Sequence, residues 1–554
     1  MTRASIRNML LASALALPLI PSAALAHDHD EHAGLTAGQA QGKFGQVNFP
    51  VSCGAAAQKQ FNQAVAILHS FWYEEALASF KAVADSDPGC AMAYWGQAMS
   101  VWYPLWYPPS EASLKAGADA VAKAREIGAK TDRERAYIDA IGAFYQDWDK
   151  RDHRTRSLAY EKAMEQVHLA HPDDREAAVF YALALLATAL PTDRTYANQK
   201  KAGAILERVF AVEPDHPGVA HYLIHSYDNP SLAERGLPAA RQYAAIAPAV
   251  PHALHMPSHI FTRLGLWQES IASNRAAEEA GQAFAAKQFG PGVLWDESLH
   301  AMDYSEYAYL QTGQDREAKA IVATLSAYQK AAPGAVPAAF ALVAIPARYA
   351  VERRDWQAAA ALSRPPVALD WSRFPWLLAL VTYARGLGAA HTGDLDAARA
   401  ELASLQSVPN AVGLTKSAYW TDQVEVQRRS IAAAIARAEG RREDALALMR
   451  SAAELEAVAD KAPATPGAVA PARELLGDML FDMGQPAQAL AEYERSLATA
   501  PNRYRGLAGA ARAAQQVGDA EKARTYYQQL VRLCPSAESD RPELAAARQY
   551  LAKG

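Results

Sequence analysis

The sequence predicts an all-α protein built as a solenoid of stacked helical hairpins, and three observations predict it. The chain has 554 residues, more than one compact core usually organises. Its 51% of hydrophobic residues is visibly rich in Ala and Leu, strong helix formers, and lacks the alternation of Val, Ile and Thr that marks strands. Residues also recur at a spacing of 34, as in Pro214 and Pro248, Gly484 and Gly518, Ala489 and Ala523, Tyr493 and Tyr527, and Pro501 and Pro535. A unit that short cannot bury its own apolar side, so successive units must stack on one another.

The chain opens with "MTRASIRNMLLASALALPLIPSAALA", two arginines, a short apolar run and a small-residue A-x-A pattern ending at Ala26. Residues 1–26 are therefore expected to be a cleaved secretory signal. Arg3 and Arg7 are not adjacent, which favours a general export route, and no Cys follows the run to carry a lipid anchor. Residues 27–50 are expected to be a flexible His/Asp-rich segment; its "HDHDEH" either captures a metal weakly or is an unstructured tail without catalytic duty. No later uncharged apolar stretch reaches the roughly 18 residues of a membrane span, so the mature chain is expected to be soluble and periplasmic or secreted. The formal net charge of −5 becomes −7 without Arg3 and Arg7, and the basic residues are dispersed, which excludes a nucleic-acid phosphate surface.

The repeat is clearest near the C-terminus, where "VAPARELLGDMLFDMGQPAQALAEYERSLATAPNR" is matched by "YRGLAGAARAAQQVGDAEKARTYYQQLVRLCPSAE". Gly484 and Gly518 fall in the turns, and Ala489 and Ala523 fall where paired helices approach closely. Near the N-terminus Ala76, Phe80 and Pro88 take the same relative places, and further copies follow His391 and Ala438. This pattern resembles the tetratricopeptide repeat. The segment "FPVSCGAAAQKQFNQAVAILHSFWYEEALASFKAVADSDPGCAMAYWGQAMS" is also similar to exported bacterial tetratricopeptide proteins, which implies fold and export and transfers no activity. The expected organisation is N-terminal repeats over 51–205, central repeats over 206–325, degenerate repeats over 326–460 and C-terminal repeats over 461–554.

Within the first hairpin, Cys53 precedes the first helix and Cys90 closes the second. Antiparallel helices bring those ends together, so a Cys53–Cys90 disulfide is expected, with Cys534 left buried. The aromatics Tyr94, Trp95, Trp102, Tyr103, Trp106 and Tyr107 are either core or a recognition shelf, and the same choice holds for Trp371 and Trp376. Pro471 opens a strong helix, whose Arg473 or Glu474 is a candidate for the inner surface.

The chemistry concentrates in "HPGVAHYLIHSYDNP" and "PHALHMPSHIFTRLGLW". With each unit's Pro placed at position 32, His221 and His225 occupy positions 5 and 9 of one first helix, and His255 and His259 occupy positions 5 and 9 of the next. Allowing for an insertion of about 14 residues, "AAKQFGPGVLWDES", Asp303 and Tyr307 take those places in the third unit, and His252 and His300 both fall at position 2. The tetratricopeptide resemblance implies that positions 2, 5, 9, 12 and 13 face a concave ligand surface. That extends the patch to Asp228, Asn229, Thr262 and Arg263.

Neutral imidazoles with a nearby carboxylate suit Zn, Cu, Fe or Ni. His221, His225, His255, His259 and Asp303 are therefore the candidate ligands of a divalent transition metal, as one complete shell or two smaller ones. His252, His300, Asp228 and Arg263 are candidate further contacts. The competing readings are an organic or peptide ligand site and a hydrogen-bonded structural network around Tyr222, Tyr227 and Tyr304. No HExxH arrangement surrounds His255, and neither a G-x-S-x-G elbow nor a phosphate loop occurs. The leading expectation is a protein, peptide or small-molecule binder acting on the concave face, with a central His/Asp metal site. The alternatives are a metal-dependent hydrolytic or redox enzyme, with Glu297 or Asp303 handling protons and Tyr307 or Arg263 orienting substrate, and a pure assembly scaffold.

Overall fold

The computed structural model describes residues 41–105, 108–332, 334–408, 418–459, 461–462, 464–537 and 541–553. The expected secretory signal, the "HDHDEH" segment, Trp106 and Tyr107 lie outside the described residues. Those described form helices in sequence-adjacent antiparallel pairs, beginning with Ala55–His69 and Tyr73–Ser86 and ending with Tyr504–Val517 and Ala520–Leu533, against which Pro542–Ala552 packs as a cap.

The local causes are those of a helical repeat. Gly484 and Gly518 sit at φ +75° and +82°, the left-handed position that ends the first helix of a pair at little steric cost. Ala489 and Ala523 are fully buried at the crossings, and Tyr493 fills the gap left by two glycines. A Cβ on Gly477 or Gly509 would lie 2.7 or 2.3 Å from the Tyr493 ring.

Two expectations are refined. The chain is not purely helical, because Val293–Trp295 and Lys330–Ala332 form a short parallel pair. The insertion responsible lengthens the Trp267–Gln288 helix and then turns through Gly290 and Gly292, both at positive φ. The described part of the aromatic shelf is core: Trp95, Trp102, Tyr103, Trp371 and Trp376 are buried, Tyr94 is half-buried against the same core as Trp95, and Trp95 packs edge-on against Phe49 and Phe180.

The Cys53–Cys90 disulfide is present, with its Cα atoms 5.1 Å apart, and Cys534 is a buried free thiol that burial pushes up to about 12. One apolar core runs from Phe44 to Phe261, a second from Trp267 to Ala523, and a small third covers the last helices.

The stack winds back on itself. Trp267 Nε1 donates to the Asn502 carbonyl at 2.7 Å, Lys461 Nζ reaches Asp228 at 2.8 Å, and Arg503 reaches Tyr307 at 2.5 Å and Glu352 at 2.8 Å. Later repeats thus cover the inner face of the central ones. The expected concave patch around His221, His255, His259 and Asp303 is buried by the chain itself, and Glu474 turns inward onto Arg503.

Candidate metal centre

Prolines at the first helical position set up the site. Pro217 begins Pro217–Tyr227, which carries His221 and His225; Pro251 and Pro257 begin Pro251–His255 and Pro257–Arg263. Pro257 has no N–H to continue the preceding helix, so the chain breaks at Met256, between His255 and His259. The Asp296–Gln311 helix brings His300, Asp303, Tyr304 and Tyr307 alongside.

The side chains gather into two triads whose ring nitrogens lie within 4.8 Å of one another, His221 with His225 and His252, and His255 with His259 and His300. The two are one arrangement repeated: positions 5 and 9 of one hairpin, completed by position 2 of the next. His252 and His300, expected only as further contacts, are therefore the third members. The triads adjoin through His252 and His255, whose ring centroids are 6.2 Å apart.

Hydrogen bonding fixes which nitrogens face inward. His221 Nδ1 lies 2.7 Å from the His69 carbonyl, which can only accept, so Nδ1 carries the proton and Nε2 keeps its lone pair. His252 Nδ1 donates likewise to Glu297 at 3.0 Å and His259 Nδ1 to Asp228 at 2.9 Å. For His255 the acceptor is Asn274 Oδ1 at 2.6 Å. That amide cannot be reversed, because Asn274 Nδ2 donates to the Ser270 carbonyl at 2.7 Å.

The Nε2 atoms of His255 and His259 consequently present lone pairs to each other across 3.0 Å. His221 Nε2 likewise turns its lone pair toward His225 Nε2, 3.1 Å away. Facing lone pairs repel unless a cation lies between them. A proton is a poor candidate: burial pushes His221, His225, His255 and His300 well below the ordinary 6.5 and takes His259 to about 4 despite Asp228. A transition metal at about 2.0–2.1 Å from each nitrogen would hold a tetrahedral pair roughly 3.3 Å apart, a few tenths wider than the gaps present. The carboxylates and amide behind the rings are the kind of acceptor that fixes the tautomer of a ligating imidazole.

Asp303 belongs to neither triad. Its Oδ1 accepts from Arg348 at 2.6 Å, and Glu306 accepts from the same guanidinium at 2.9 Å; all three are fully buried. Tyr307 is bonded to Arg503. Glu297 is held by His252, and Arg263 donates to Asp228 at 2.8 Å, so both orient imidazoles from behind. Thr262 hydrogen-bonds Ser270, and Asn229 Oδ1 accepts from the Leu232 amide, so neither joins the triads.

A third cluster, His69, Glu176 and His216, escaped sequence reasoning. His216 Nδ1 accepts from the Val219 amide at 3.2 Å, so its Nε2–H donates to Glu176 at 2.9 Å. His69 meets the other carboxylate oxygen at 3.0 Å and Tyr222 at 2.9 Å. Burial alone would raise the Glu176 carboxyl, but His216 and His69 outweigh it and hold it below the usual range. Here N–H groups point inward onto a carboxylate, and the cluster is satisfied as it stands. Its one sequence signal was His216 in a helix-capping place just ahead of Pro217.

No protein-family model and no curated protein matches the chain. Among solved structures it is similar to human IFIT1 dimer with m7Gppp-AAAA, at 11% identity and TM-score 0.37, covering 80% of this chain and 90% of that one. The human IFIT1 dimer with PPP-AAAA gives 11% identity and TM-score 0.36, covering 87% of this chain and 96% of that one. These likenesses are too slight to bear on function.

Proposed function

We propose that this chain is an exported helical-repeat protein that holds two transition-metal ions of the Zn, Cu, Fe or Ni class, one in each histidine triad. The observation that carries the reading is the pair of facing lone pairs on His255 and His259, 3.0 Å apart, each fixed by an acceptor behind its ring. The Cys53–Cys90 bridge supports export, because disulfides persist in oxidising compartments.

The test is elemental analysis of tag-free protein in which His27, His29 and His32 are replaced by Ala. Metal should approach two equivalents per chain and fall to about one in His255→Asn or His225→Asn. Asn at 255 retains an amide donor for Asn274 while losing Nε2. Protein that stays metal-free after incubation with Zn, Cu, Fe and Ni salts would overturn the reading.

A further inference from the structure

We infer that the two ions are not equivalent: the one at His221, His225 and His252 keeps a coordination position open to a small anionic lone-pair donor, and the one at His255, His259 and His300 is shielded from such a donor. The inference rests on the metal reading above and concerns what the metal does there.

Exposure separates the triads. His255, His259 and His300 are 1%, 1% and 2% exposed, whereas His225 is only part-buried. Glu297, behind His252, is 27% exposed at its side chain, against 11% for Asp228 behind His259. Solvent therefore approaches the first triad from the His225 and Glu297 side.

The rings that cover the triads differ in the same sense. Tyr304 lies within 4.9–5.1 Å of all three imidazoles of the second triad. It sits within the Asp296–Gln311 helix, and its hydroxyl donates to the Thr465 carbonyl at 3.2 Å. Lys461 on Asp228 closes the same side.

Phe71 performs the covering role at the first triad, with its ring 4.4, 5.6 and 6.1 Å from His221, His225 and His252. It stands on the short turn between Ala55–His69 and Tyr73–Ser86 at φ +56°, a left-handed conformation that a bulky side chain adopts only under constraint. No hydrogen bond can pin a phenyl ring. Tyr73 stacks on Phe71 at 5.3 Å, and its buried hydroxyl has no hydrogen-bond partner among the described residues. The first triad thus has three imidazoles, a solvent-reached edge, a covering ring held by packing alone and a nearby hydroxyl suited to an acceptor. A metal held by three protein ligands has a position left for an exogenous donor, and only the first triad has an edge by which one can reach it.

The test uses full-length protein carrying the His27, His29 and His32 replacements, loaded with cobalt(II) and titrated with azide while the visible absorption is followed. Azide should alter the bands of one cobalt of the two. It should act on His255→Asn protein, which retains the first triad, and leave His225→Asn protein unchanged. Azide acting on both cobalts, on neither, or on His225→Asn protein alone would overturn the inference. If either variant fails to fold, the one-of-two response of the parent decides. Failure to bind cobalt at all overturns the metal reading itself, which separates the two outcomes.

Discussion

Replacing Asp228 by Asn tests the second triad at its most connected point. The carboxylate accepts from His259 Nδ1 at 2.9 Å, Arg263 Nε at 2.8 Å and Lys461 Nζ at 2.8 Å. The Asp228, Arg263 and Lys461 side chains are 11%, 10% and 8% exposed. Burial pushes the Asp228 carboxyl up, but Lys461 and Arg263 outweigh it and hold the group well below the usual range. Asn keeps the shape, removes the charge and turns an NH₂ donor toward one of three donors. Removing one partner of a buried ion pair costs about 3–5 kcal/mol. Asp228→Asn should lose that much, and the Asp228→Asn/Lys461→Met double variant should recover part of it by deleting one stranded cation. The assay is urea unfolding at pH 7 in the presence of a chelator, so that metal linkage does not contribute. Metal affinity at this triad should also fall, on the order of 10–100-fold, because a neutral amide behind His259 leaves the imidazole less basic than a carboxylate does. An Asp228→Asn protein within about 1 kcal/mol of the parent, or a double variant no more stable than the single, would refute the reasoning.

Glu306 gives a pH prediction. Burial pushes its carboxyl up to about 8, against the pull of Arg348, whereas its ordinary value is 4.5. Between those values the folded chain binds more protons than the unfolded one, so the group's contribution to stability declines as pH rises from about 4.5 to 8. Glu306→Gln should flatten that decline in thermal midpoints measured across the interval; an unchanged slope would show that Glu306 titrates normally. The disulfide spans a sequence separation of 37, for which chain entropy predicts about 4 kcal/mol. Replacing Cys53 and Cys90 by Ser should lower stability on that order in urea, and reductant should do the same to the parent only. A loss below about 1 kcal/mol would mean that the closed loop restricts the unfolded chain far less than this.

The hairpin stack was legible because its causes are local and periodic: a glycine that ends a helix, an alanine at a crossing and a tyrosine beneath it all recur at the same spacing. The disulfide was legible for the same reason, since its two ends belong to one hairpin. What lay outside the repeat was not. The strand pair joins residues either side of a hairpin, Val293 with Lys330, and follows from an insertion with no counterpart in other units. The self-covered inner face depends on contacts such as Arg541 with Asp315, 226 residues apart, which no periodicity marks. At the site, the four histidines at positions 5 and 9 were read from the sequence as ligands, and the third member of each triad, His252 or His300, only as a further contact. The expectation kept ligands within corresponding positions and so chose Asp303, whereas stacking offsets successive hairpins and brings position 2 of the next unit beside positions 5 and 9.

That offset also explains why the series stops at two triads. The inner wall carries a polar stripe across three consecutive units, and once later repeats cover it, every buried polar group on it needs a partner. In the third unit the stripe reads Asp303 and Tyr307, an anion and a phenol, and the chain supplies its own cations, Arg348 on Asp303 and Arg503 on Tyr307. A guanidinium suits a carboxylate, since it is a fork of donors with no lone pair to share. Its N–H groups suit converging imidazoles poorly, because those present several inward lone pairs in a tight cluster and are weakly basic when buried. A metal ion suits them well. On the proposed reading, the same scaffold position takes a guanidinium where the residue is acidic and a metal where it is histidine. The change from His to Asp between units, rather than the fold, would then decide where an ion binds.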